Sequence, residues 1–174
     1  MQHRTRSDRQ TGQAVLEFAI VLPLILLLLM GIYDFACALR ANNSISNMSR
    51  EGANLASRPS AGMQDRRQDI MNALSATAQP LNMRENGMMF ITVIQGDTIR
   101  SQEGWENSRL KDSVASRIGT PTPSQPNPKV HAIASLALAP TQSAFVVEVF
   151  YNYRSLFSSN ALLLGQQLYS RTVF

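Results

Sequence analysis

The chain has 174 residues, 44% of them hydrophobic and 16% charged, with a net charge of +4, which suits one modest domain and an appendage. A single cysteine, Cys37, excludes an intramolecular disulfide scaffold, and two histidines far apart in sequence, His3 and His131, leave no metal-ligand spacing. Half of the net charge lies in residues 1–12, from Arg4, Arg6 and Arg9 against Asp8. The later basic residues are scattered among acids rather than drawn into the stripe that binds nucleic acid.

The first element is an apolar helix. Residues 18–33 carry no charge, and apolar character on both sides takes the run past twenty positions, enough to cross a bilayer. The arginines precede it, so the positive-inside rule places residues 1–12 in the cytoplasm and the bulk of the chain outside. Glu17 stands at the entrance of this run, where an acid is costly, about 2.5–3.5 kcal/mol at a helix centre and less near the interface. A plain signal anchor does not explain Glu17. Neither does a secretory signal cut at the small-x-small sequence Ala36-Cys37-Ala38, nor a lipoprotein site at Cys37, where Asp34 occupies a position that wants an apolar residue. Pro23 removes one helical hydrogen bond, which membrane helices tolerate.

Past Tyr33 the helix is expected to continue. Ile45, Met48 and Leu55, with the small Gly52, give a 3-4-3 apolar stripe for packing on the chain's own domain. Pro59 should stop it near Ser57. A second helix is expected over 63–77, closed by Pro80. Residues 88–100 read as strand, glycine turn and strand. Residues 101–119 are polar and ambiguous, with Trp105 expected as a core plug. Four prolines in 119–128 make a surface loop, and 130–138 is apolar and open to helix or strand. The clearest strand is 144–154, with Phe145, Val147, Val149, Tyr151 and Tyr153 on one side and Val146, Glu148, Phe150, Asn152 and Arg154 on the other. Glu148 is expected in a structural ion pair with Arg154 or Arg171, and 167–174 is expected to return as a last strand. No nucleophile elbow, phosphate-cradling glycine loop or paired-carboxylate motif is present. The reading is therefore non-catalytic, with no cofactor and no metal.

Gly12, four residues, then Glu17 and an apolar helix resemble the processing site of type IV prepilins. "GQAVLEFAIVLPLILLLLMGIYDFACALR" is similar to the opening of the TadE/TadF-like minor pseudopilins of the tight-adherence (Flp) pilus system, through Gly12, Ala14, Glu17, Phe18, Ala19, Pro23 and Gly31. "FVVEVFYNYRSLF" and "LYSRTVF" are similar to the closing strand and tail of that family. The resemblance implies cleavage between Gly12 and Gln13 by a prepilin peptidase, and an assembly role for Glu17. It implies an α+β fold, with a long pilin-like helix running into a domain with an antiparallel sheet. The expected parts are a cytoplasmic leader (1–12), a transmembrane helix (13–39) and a periplasmic α+β domain (40–174). Its partners would be the peptidase, other pilins and pseudopilins, the Tad inner-membrane assembly machinery and membrane lipid. The alternative is an uncleaved single-pass anchor with an extracytoplasmic partner-binding domain.

Overall fold

The computed structural model describes residues 5–58, 63–130, 138–155 and 166–174, with side chains from residue 13 onward and, in the second helix, from residue 66. Helix α1 (Thr5–Ser57) is followed by α2 (Met63–Thr77), the single turn α3 (Met83–Asn86) and strands β1 (Gly87–Gln95), β2 (Thr98–Gly104), β3 (Ser143–Tyr153) and β4 (Gln166–Val173). The strands form one antiparallel sheet in the order β2-β1-β3-β4. The architecture is α+β with a pilin-like layout, a long helix leading into an open sheet.

α1 has 53 residues and is therefore about 80 Å long at ~1.5 Å per residue. It ends at Ser57, before Pro59, as expected. It also begins upstream of Gly12 and runs unbroken through Pro23, although that ring removes the N–H that would bond the carbonyl of Ala19. Its last six turns pack across β3 and β4. The buried positions are Ala41, Ile45, Met48, Ser49, Gly52, Ala53 and Ala56, so small residues fill the stripe more than the apolar pattern alone indicates, and Leu55 is half-buried beside it. Gly52 marks the close approach: a Cβ there would stand 2.9 Å from Leu74 Cδ1 of α2 and 3.1 Å from Val147 Cγ1 of β3. Ser49 Oγ lies 2.9 Å from both Ser170 Oγ and Thr172 Oγ1 of β4, so the polar residue in the stripe is satisfied where it crosses the sheet.

β1 and β2 form a hairpin around Gly96 and Asp97, with Gln95 paired to Thr98. Gly96 takes φ +58°, a left-handed conformation that glycine adopts at no steric cost. α2 is tied to the far end of β2. Gln68 Nε2 donates to Glu103 Oε1 (2.7 Å) and to the carbonyl of Gly104 (2.8 Å), and Trp105 Nε1 donates to Asn72 Oδ1 (2.8 Å). Trp105 is buried in the main core, the plug expected of it.

The sheet is covered on both sides. The face with Val147, Val149 and Tyr151 meets α1 and α2. The opposite face carries Val146, Glu148 and Phe150, which are buried as well, because residues 114–119 cross it. Ile118 joins Ile94, Ile99, Ala144 and Val146 in a second apolar cluster, and Gln102 Nε2 bonds both Thr92 Oγ1 and the carbonyl of Gly119. The proline-rich loop then returns to the β2 edge, where Ile99 N donates to the carbonyl of Pro128 and Val130 N to that of Asp97. The expectation for 130–138 falls mostly on residues outside the described ones.

Candidate functional site

Two places on α1 hold an acid in apolar surroundings, and they differ in how the acid is treated. The first is the entrance. Every residue from Gln13 to Tyr33 is exposed, including fifteen large apolar side chains from Val15 to Tyr33. Glu17 is exposed among them, and Gln13 Nε2 donates to Glu17 Oε1 at 3.1 Å. The i, i+4 spacing puts Gln13 and Glu17 one turn apart on one face, and Gly12 immediately precedes them in the same helix. The geometry brings Gln13 and Glu17 together and leaves Glu17 with no cation beside it in this chain among the described residues.

The second place is Asp34, which the sequence raised only as an obstacle to a lipoprotein site at Cys37. Its side chain is 5% exposed. The end of β3 closes over it: Tyr153 Oη donates to Asp34 Oδ1 (2.9 Å) and lies 3.1 Å from the Asp34 carbonyl, and Ser155 Oγ donates to Oδ2. Burial, and next the carboxylate of Asp34, push the Tyr153 hydroxyl above its ordinary value near 10, so it stays a donor at neutral pH. The contact pins the last strand residue to the helix 119 positions earlier. Asp34 is thus the level at which the sheet domain first grips α1. The signal for it in the sequence was an acid placed directly after an apolar run, with a Tyr and a Ser at the end of the strongest strand.

A third acid, Glu148, is fully buried in the sheet. Its carboxylate accepts from the Arg117 backbone N–H (3.0 Å), Tyr169 Oη (2.8 Å) and Ser116 Oγ. These are neutral donors, whereas the sequence suggested Arg154 or Arg171. Arg154 is exposed, and Arg171 stands opposite Glu148 in the β3–β4 register. The Arg117 guanidinium lies 4.2 Å from the centre of the Tyr169 ring, which caps the cluster by a cation–π contact. Three hydrogen bonds and an aromatic lid make this a structural anchor.

Two hollows lie near these elements among the described residues. A polar cleft of about 710 Å³ lies between α2 and the α3 turn, lined by Asn72, Gln79, Asn82, Arg84 and Asn107 among others. A second, of about 370 Å³, opens between α1 and the ends of β3 and β4 at the level of Asp34. Among the described residues no group of three His, Cys, Asp or Glu side chains is placed to hold a metal ion.

α1 is long and apolar enough to cross a membrane once. Residues 12–54 match the family model described as TadE-like protein, which covers the apolar half of α1 and most of its packed half and connects this segment with the tight-adherence pilus system. No curated protein and no solved structure matches the chain.

Proposed function

We propose, from a helix that is TadE-like over residues 12–54, that the chain is a minor pseudopilin of a tight-adherence (Flp) pilus, a non-catalytic subunit that supports pilus biogenesis and surface adherence. A prepilin peptidase cuts the precursor between Gly12 and Gln13 on the cytoplasmic face of the bacterial inner membrane. The sheet domain lies in the periplasm. The observation that carries this reading is Glu17, exposed one turn after Gln13 on a helix whose large apolar side chains are themselves exposed.

The physical argument is one of compensation. Fifteen apolar side chains at about 2 kcal/mol each amount to a burial term on the order of 30 kcal/mol, which only lipid or other helices can supply. Cleavage gives Gln13 a free α-amine, with an ordinary pKa near 7.7–8.0. Within one chain that amine and Glu17 share a turn. Between chains, the amine of one subunit can sit on the Glu17 of another, and each charge offsets the other's desolvation. Helices then assemble in register, and the partners are other pilins, pseudopilins and the Tad inner-membrane machinery that assembles them.

With Asp34 gripped by the head, we propose that the lipid-facing part is residues 13–33. These 21 residues span about 31 Å at ~1.5 Å per residue, close to the ~30 Å of a bilayer core.

The test is Glu17→Ala and Glu17→Gln in the native host, with pili counted and the mature N-terminus checked. The expected result is loss of pili in both variants, with the subunit still made and still cut at Gln13. Wild-type piliation in both would remove the assembly role and favour the uncleaved anchor.

A further inference from the structure

We propose that the underside of the head domain is a docking surface for the anionic phospholipid headgroups of the leaflet it faces. The inference rests on the reading of 13–33 as the membrane segment.

Three observations on the surface at the level of Asp34 point the same way. The first is charge. From Asp34 to the next acid on α1, Glu51, the helix carries Arg40 and Arg50. Arg40 is exposed, six residues or ~9 Å along the axis from Asp34 at ~1.5 Å per residue. Arg154, also exposed, follows the Tyr153 that bonds Asp34. Neither arginine is in an ion pair among the described residues. The carboxylate that would repel an anionic surface, Asp34, is covered by the hydroxyls of Tyr153 and Ser155. The sign presented at this end is therefore positive.

The second observation is the aromatic pair that flanks Asp34. Tyr33 and Phe35 are 57% and 66% exposed, on the same turn as a residue the head buries. Aromatic rings collect at the headgroup level of membranes. The third is the hollow of about 370 Å³, whose lining joins Gly31, Phe35 and Ala38 of the helix to Tyr153, Ser155 and Gln166 of the head. An apolar wall facing hydroxyl and amide groups is the chemistry of the boundary between acyl chains and headgroups. The positive residues are continuous with the apolar surface below them, so a lipid whose tail lies along 13–33 brings its phosphate to the height of Arg40 and Arg154. Arginine binds phosphate through paired N–H donors, and because Arg40 and Arg154 are solvent-exposed their attraction to an anionic surface weakens as salt rises.

The test uses the full chain in nanodiscs of phosphatidylcholine alone and of phosphatidylcholine with phosphatidylglycerol. Backbone hydrogen exchange is followed at residues 38–44, 152–155 and 166–168. The expected result is several-fold slower exchange there in the anionic discs, with residues 87–104 unchanged. High salt removes the difference, and the double variant Arg40→Gln/Arg154→Gln removes it while its melting temperature stays at the wild-type value. Equal exchange in the two lipids, or an anionic effect that survives in the double variant, would overturn the proposal. A spin label on Leu24→Cys in a Cys37→Ala background checks the premise separately: hydrocarbon exposure in both disc types supports the membrane segment, and water exposure would sink that reading whatever the headgroup effect.

Discussion

The two halves of α1 are one continuous helix with opposite relations to the rest of the chain. Residues 34–57 bury small side chains against β3 and β4, and their polar members are matched by named partners: Asp34 by Tyr153 and Ser155, Ser49 by Ser170 and Thr172. Residues 13–33 are exposed throughout and carry large apolar side chains, with one acid, Glu17, whose described contact is its own neighbour Gln13. A helix stripe built of Ala, Gly and Ser is shaped by a close internal neighbour. A helix surface built of Leu, Ile and Val with no stripe is shaped by a solvent, and here that solvent is apolar. The acid is informative in each half for the same reason: it states what must arrive to satisfy it. The head supplies that group for Asp34, and another subunit is proposed to supply it for Glu17.

This contrast can be broken from the head side. Glu148→Ala removes the acceptor from Ser116, Arg117 and Tyr169 at a fully buried site, and is expected to cost about 3 kcal/mol of head-domain stability, read as a lower denaturation midpoint by Trp105 fluorescence in detergent. Gly52→Leu forces a side chain into the contact with Leu74 and Val147; overpacking of this kind costs roughly 2 kcal/mol, and the same assay should show it. Both variants should leave membrane insertion intact, since neither touches 13–33.

A smaller effect follows from Tyr169. Burial, with the Glu148 carboxylate next in weight, raises its hydroxyl above the ordinary value of 10. The folded value lies above the unfolded one, so this contribution to stability is whole below pH ~10 and is lost as pH climbs beyond it. Tyr169→Phe should flatten the alkaline fall of the melting temperature between pH 9 and 11, from a lower starting point at neutral pH. At the other end of the scale, Leu24→Ala should change head stability by less than about 0.5 kcal/mol, because its side chain is 66% exposed. A larger change there would mean that the two halves are not separate in the way described.

Much of the fold was legible because local chemistry marks it. Pro59 and Pro80 bound the two helices, Gly96 sits where the hairpin needs a left-handed φ, and a β-branched and aromatic run marks β3. What was not legible depends on partners far apart in sequence. Period-2 spacing in β3 distinguishes two faces but is silent on what covers the second, because the segment that does so, 114–119, is short and irregular and has no period of its own. The hydrogen-bond donors to Glu148 were hidden for the same reason: two of the three come from that segment, and one is a backbone N–H that no side-chain pattern reveals. Asp34 escaped notice because an acid after an apolar run reads equally well as a solvated helix end. Glu17 stood out only because its cost in lipid is high; the meaning given to Gly12 and Gln13 came from resemblance.

The measurement that tests the central claim most directly is the N-terminus of the protein from membranes of its native host, by intact mass and terminal sequencing. The account expects the chain to begin at Gln13, one turn before Glu17. A chain that still begins at Met1, in a host whose prepilin peptidase is active, would contradict it.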